Sequence, residues 1–286
     1  MKFSFLKSAI LCIATLNGIS VAAQEVIFHN EAADTTRITS LLIDECSQRD
    51  AGNVARIAQL FINTPYAAGT LDGNKTEQLT VNLDSLDCTT FVETAVALAY
   101  TASEHRQSWQ DFVYNLRRFR YRNGEIGDYT SRLHYVSEWI LDNVSRGNLK
   151  EVTSEFPIVR YAVKSLDYMT RHRDLYPALA DDETYERMKN VEAGFSNHRY
   201  PYLKGTLLKD KYLLEHLQTG DIICFTTATK GLDVTHMAIA VIIDNVPRMI
   251  HASRRAGKVV LENKSIIEYV HRNSSDGIRV LRMVTD

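Results

Sequence analysis

Three features of the chain predict an α+β fold. Amphipathic helical patterns occupy the sequence up to about Leu217, period-two segments take over from Gly220, and nowhere do the two alternate as βαβ units. With 286 residues, 45% of them hydrophobic, the chain can build one large domain or two small ones. Neither an internal repeat nor a low-complexity linker divides it, so the reading is one domain over 24–286, with a helical elaboration around 105–217.

The elements follow in order. Thr36 to Ile62 reads as amphipathic helix, with a break near Gly52, and "NTPYAAGTLDGNKTEQL" is a loop rich in Gly, Asn and Thr. The segment "LDSLDCTTFVETAVALA" opens a helix at Cys88, with Phe91, Ala95 and Leu98 on one stripe and Val92, Val96 and Ala99 beside it. Further helical patterns are "SWQDFVYNLRRF", "LHYVSEWILDNV" and "DDETYERMKNVEAGF", punctuated by Pro157, Pro177 and Pro201. After Gly220, "DIICFTT", "THMAIAVIID", "RMIHAS", "KVVLEN" and "IRVLRM" read as the strands of an antiparallel meander. A two-residue hairpin at Asn245-Val246 would pair Asp244 with Pro247 and Ala240 with His251.

The first residues, "MKFSFLKSAILCIATLNGISVAAQ", have the form of a secretory signal peptide. Lys2 and Lys7 precede an apolar stretch, and Val21-Ala22-Ala23 offers a cleavage point. Residues 1–23 would then be removed and the protein exported, to the periplasm. Leu11 before Cys12 does not suit lipid attachment, and no second apolar stretch is long enough to span a bilayer, so no stable membrane anchor is expected. Loss of Lys2 and Lys7 would leave 31 basic against 35 acidic residues, which excludes a general binder of nucleic acid or another polyanion. The cluster of Arg117, Arg118, Arg120 and Arg122 is either a solvated helix end or a rim for an acidic ligand.

Cys46, Cys88 and Cys224 remain after export, an odd count that leaves at least one thiol free or paired between chains. Cys46 and Cys224 sit in apolar patterns that read as packing. Cys88 is different. Asp87 is a good N-cap, which puts Cys88 in the first turn, where unpaired N–H groups and the helix dipole favour thiolate and could hold an oxyanion. Such a nucleophile needs a base. The strand "VTHMAIAVIID" offers His236, on one face with Ala238 and Ala240, small side chains that would let a helix dock beside the imidazole. Alone, a histidine such as His236 is more often a satisfied core histidine than a base; a helix-starting cysteine reverses that reading. The hairpin register leaves His251 four residues along from His236, too far for a direct hydrogen bond unless twist or a bulge closes the gap. Cys88, Cys224, His236 and His251 are metal-ligand types, but their spacing matches neither a CxxC pair nor HExxH, and no glycine loop suits phosphate; no metal or cofactor is expected.

At this point several motifs agree with one family. "DCTTFV" resembles the Asp-Cys-Ser-Gly-Phe-Val motif of the NlpC-type cell-wall cysteine peptidases, a papain-like superfamily, and "TPYAAG" resembles its Pro-Tyr-x-x-Gly segment. "GDIICF", "THMAIAVI" and "MIHAS" are similar to its Gly-Asp strand and its two histidine strands. "LDCTTFVETAVALA", "SRLHY" and "GLDVTHMAIA" resemble the exported N-acetylmuramoyl-L-alanine amidase-like branch. The resemblance implies a papain-like fold, in which a helix-borne cysteine packs on an antiparallel sheet, here with a large helical insertion. It implies an amidase acting on muropeptides, the 1,6-anhydro-muramic forms in particular. Cys88 would be nucleophile, His236 general base and His251 the polar third member, with Tyr66 touching the reacting carbonyl or the substrate backbone. Asp87 and Thr89 would flank the substrate. Thr89-Thr90 replaces the usual Ser-Gly, which puts the superfamily's peptide-side specificity in doubt here. Arg132, His134 and Tyr135 of "SRLHY" are either ligand contacts or a helix start with an aromatic packed inward. A γ-D-glutamyl endopeptidase and a silent cell-wall binding module are the competing functions.

Overall fold

The computed structural model describes residues 26–285 other than 51 and 75. The expected signal segment lies outside the described residues. The chain opens with strand β1 (Ile27–Phe28) and helices α1 (Glu31–Cys46) and α2 (Val54–Gln59). The helix expected over 36–62 is thus two helices, each started by an asparagine cap, Asn30 and Asn53. Gly52 makes the break: its φ is +83°, and a Cβ there would sit 2.6 Å from the Ala99 carbonyl oxygen. Strand β2 (Thr80–Val81) pairs in parallel with β1, and α3 (Cys88–Ser103) and α4 (Trp109–Arg120) follow.

The middle of the chain is less helical than its sequence patterns suggest. Helices α5 (Val136–Ser145), α6 (Tyr168–Arg171) and α7 (Asp182–Ala193) share it with strands β3 (Leu149–Glu151), β4 (Val159–Lys164) and β5 (His198–Lys204). Proline hid β5. Pro201 pairs with Tyr161 of β4 but lies beyond the stretch of β5 bonded on its other side, Leu203 and Lys204, so its missing N–H costs no second ladder bond.

Helix α8 (Asp210–His216) leads into β6 (Ile222–Thr226), β7 (Val234–Ile243), β8 (Val246–Ser253) and β9 (Lys258–Leu261), then α9 (Ile266–Arg272) and β10 (Gly277–Met283). The sheet has eight strands in the order β4-β5-β10-β6-β7-β8-β9, with β3 on β10, and every pairing in it is antiparallel. The expected strands after Gly220 are all present, within a mixed α+β architecture.

Strand alternation gives the sheet two apolar faces. Ile222, Cys224, Met237, Ile239, Val241 and Ile250 share a core with buried residues of α1 to α4, including Phe91, Val92 and Val96 of α3. Ile223, Phe225, Ala238, Ala240 and Met249 share another with Leu213 of α8 and with Ile266 and Val270 of α9. A helix does cover the His236–Ala238–Ala240 face, but it is not the one that carries Cys88. The broad stripe of α3 meets the bulkier Met-Ile-Val face, where more apolar surface leaves water.

Charges buried under this layer tie the helices together. Arg120, 2% exposed, donates to Glu93 at 2.6 Å and to the Thr80 carbonyl at 2.7 Å, joining α4, α3 and β2. Of the arginine cluster, then, Arg120 turns inward, Arg122 pairs with Glu138, and Arg117 and Arg118 lie over the rings of Tyr114 and Tyr100. Removing one member of a buried pair strands the other without water. Glu93→Ala should therefore lower stability by about 3–5 kcal/mol, read as a fall in urea midpoint, whereas Glu93→Leu with Arg120→Met should recover most of it.

Candidate active site

Cys88 begins α3, as its setting predicts. The Asp87 carboxylate caps the helix, accepting from Thr89 N–H at 3.1 Å and Thr90 N–H at 2.8 Å, while Thr90 Oγ1 accepts from Asp87 N–H at 2.9 Å. The segment before it is held as firmly. Tyr66 N–H donates to the Gly257 carbonyl at 2.9 Å and Leu86 N–H to that of Pro65, so the half-buried Tyr66 lies beside the entry to the helix.

The hairpin between β7 and β8 differs from the expected one. Its two turn residues are Asp244 and Asn245, with φ of +52° and +58°, and it pairs Ile243 with Val246 and Ile239 with Ile250. Continued by one step, that register sets His251 opposite Ala238, two residues from His236 rather than four. The left-handed turn residues, both types that tolerate positive φ, select this register. His236 itself is paired with Phe225 of β6, just before that strand's register shifts at Thr226, and His236 Nε2 meets His251 Nδ1 at 2.7 Å.

Pairing of β7 with β8 ends at Ile239–Ile250, although β7 begins at Val234 and β8 runs on to Ser253. At this parting of the strands Met237 N–H, which follows His236 in the chain, donates to the Cys88 sulfur; the Thr89 hydroxyl and the Cys88 N–H also reach it. The sheet thus brings the sulfur to the backbone of the residue next to the imidazole.

Electrostatics depart from the expectation for a helix-start cysteine. Burial, with the Asp87 carboxylate second, pushes the thiol up to about 11 against three hydrogen bonds that favour thiolate. Asp87 occupies the N–H groups of Thr89 and Thr90, so much of the helix-end field that would serve sulfur is already used. Burial likewise pulls His236 down to about 3, helped by His251, and His251 down to about 4. All three shifts favour the uncharged forms, a thiol and two neutral imidazoles.

Two participants carry no motif in the sequence. Glu262 Oε2 lies 3.7 Å from His251 Nε2, a step longer than a hydrogen bond, and this carboxylate opposes the fall in the imidazole's pKa. Tyr269 of α9 packs its ring 5.7 Å from His236 and 5.4 Å from His251, centroid to centroid. A signal for α9 existed: Ser265 and Glu268 form a reciprocal capping box, the S-x-x-E pattern before an apolar run. Nothing in the sequence shows that Glu262, just past β9, faces an imidazole.

The remaining expected contacts have partners within the fold. Arg132, 7% exposed, pairs with Asp72 at 2.6 Å and Glu77 at 3.3 Å, pinning the loop after Tyr66. His134 meets the Tyr129 carbonyl at 2.8 Å and lies over its ring. Tyr135, 2% exposed, belongs to a separate small core with Leu166 and Met169, where its hydroxyl donates to Glu192 and accepts from Met169 N–H. Its polar atom is thus engaged inside the fold. Cys46, Cys88 and Cys224 are all free thiols, and among the described residues no group of three or more His, Cys, Asp or Glu is placed to hold a metal ion.

A cleft of about 220 Å³ opens beside His236. Ser253, Arg254, Arg255, Glu262, Lys264, Tyr269, Arg272 and Asn273 complete its walls, and Cys88 does not line it.

Comparison with known proteins adds to this geometry. No curated protein matches the chain. An N-acetylmuramoyl-L-alanine amidase from Bacteroides uniformis is 38% identical, with a TM-score of 0.77 over 81% of this chain and 99% of its own. A Bacteroides fragilis protein named as a candidate xylanase is 42% identical, with a TM-score of 0.75 over 80% of this chain and 100% of its own. A Legionella pneumophila protein, 23% identical over 89% of this chain and 97% of its own, shares the fold with a TM-score of 0.69. The family model described as N-acetylmuramoyl-L-alanine amidase-like matches residues 56–278, and the chain belongs to that family.

Proposed function

We propose that the protein is an exported cysteine amidase that hydrolyses the amide between the lactyl group of N-acetylmuramic acid, in its 1,6-anhydro form, and L-alanine in peptidoglycan fragments. The observation that carries the reading is the His236–His251 contact of 2.7 Å, with the helix-start sulfur of Cys88 reached by the backbone of Met237, the residue after His236. The xylanase name carried by one relative asks for different chemistry. Glycoside hydrolysis works with a pair of carboxylates across the scissile bond, and among the described residues lining the cleft Glu262 is the sole acid.

Proton placement gives each group a task. Glu262 accepts only, so it favours the tautomer of His251 with its proton on Nε2. His251 Nδ1 then accepts from His236 Nε2–H, and His236 Nδ1 is left as the basic nitrogen. As the Cys88 sulfur bonds to the lactyl carbonyl carbon, its proton passes to that nitrogen. The Cys88 N–H and the Tyr66 hydroxyl receive the oxyanion. His236 returns the proton to the alanine nitrogen, the C–N bond breaks, and the peptide departs as an amine. Water then attacks the thioester carbon and gives a proton to His236; the C–S bond breaks, His236 returns that proton to the Cys88 sulfur, and the muramic acid leaves and ionises to its carboxylate in solvent. Because the thiol is raised and the imidazole lowered, proton transfer accompanies attack instead of preceding it.

Mass spectrometry of digested muropeptides should show whole peptides beginning at L-alanine, and none with Cys88→Ala; L-Ala-D-Glu left on the sugar would assign an endopeptidase instead. Iodoacetamide labelling of Cys88 should rise about tenfold per pH unit from 7 to 9, because a raised thiol is still filling its thiolate form there. A rate already level below pH 8 would contradict the neutral resting pair. Glu262→Gln should lower kcat by about a hundredfold with KM little changed, and Glu262→Asp should restore part of it.

A further inference from the structure

We propose that the cleft beside His236 is a subsite for the carboxylates of the departing peptide, with Arg254, Arg255 and Arg272 as its anion-binding groups. This rests on the amidase reading above. Arg254 and Arg255 stand on the turn between β8 and β9, and Arg272 ends α9 across the cleft. All three are exposed, and among the described residues none of them forms an ion pair, although most other arginines of the chain do. Lys264 adds a fourth cation, part-compensated by Glu268 at 3.8 Å. Against these stands Glu262, whose carboxylate faces His251. A chain with a formal charge of −2 has thus gathered unpaired guanidiniums around one small space. Like charges held together repel, and a bound anion relieves that repulsion.

The chemistry says which part of the substrate this is. The sugar end of such a fragment is neutral: its amines are acetylated and its lactyl carboxyl is tied up in the scissile amide. Free carboxylates belong to the stem peptide, on D-glutamate and on the residues after it. The general acid also stands on the leaving-group side of the scissile bond, and the cleft begins at His236 while Cys88 does not line it. The peptide therefore leaves into the cationic space. The turn bearing Arg254 is pinned to the Tyr66 segment through Gly257, and Arg254 acts electrostatically on the Tyr66 phenol. The first carboxylate would thus sit close to the reacting bond.

The test needs no turnover. Calorimetry with the Cys88→Ala protein should show binding of the free tripeptide L-Ala-γ-D-Glu-diaminopimelate, weakened about tenfold or more when its carboxylates are amidated. Arg255→Gln with Arg272→Gln should bind both peptides alike, and added salt should weaken only the acidic one in the Cys88→Ala parent. Equal affinity for the two peptides in that parent overturns the proposal without involving any altered arginine. So does displacement of the acidic peptide by inorganic phosphate at concentrations where acetate has no effect, which assigns the cleft to phosphate. If digests show no peptide beginning at L-alanine while the acidic tripeptide still binds selectively, the amidase reading falls and the carboxylate subsite stands.

Discussion

Two imidazoles 2.7 Å apart can coexist only when one points a hydrogen at the other's bare nitrogen. A second proton on this pair would place like charges in contact inside a buried site, so the contact survives as a neutral pair with a defined direction. Glu262 supplies that direction by standing at the far nitrogen of His251. Close by, where the pairing of β7 with β8 ends, the Met237 N–H reaches the Cys88 sulfur.

The surrounding fold shields this pair unevenly, burying His251 while His236 and Cys88 stay half-buried and His236 opens onto the cleft, and the packing has consequences for reactivity. Burial that packs Tyr269 against both imidazoles also lowers their basicity and raises the thiol. The helix start, often a means of activating cysteine, is here shared with the Asp87 carboxylate, which stabilises α3 at the expense of the field available to sulfur. Packing around the site therefore works against charge on all three groups, raising the thiol and lowering both imidazoles.

Buried ion pairs deliver the pieces to one place. Arg120 with Glu93 locks α4 to α3, and Arg132 with Asp72 and Glu77 holds the loop that follows Tyr66. The "SRLHY" segment illustrates how a motif can be legible as important without its role being legible. Its arginine and tyrosine are engaged within the fold, at positions that a list of ligand-like residue types does not distinguish from a binding wall.

Local chemistry in the sequence determined the helix start at Cys88, the strands after Gly220 and the alternation that puts His236 with Ala238 and Ala240, because caps and side-chain periods are properties of neighbouring residues. Tertiary structure decided what lay between distant segments. A one-residue change in the turn position brought His251 to His236, a stretch of β5 paired on one side only accommodated Pro201, and α9 carried Tyr269 to the site. It also decided the protonation state of Cys88, since desolvation depends on everything packed around the sulfur and on no single neighbour in the chain.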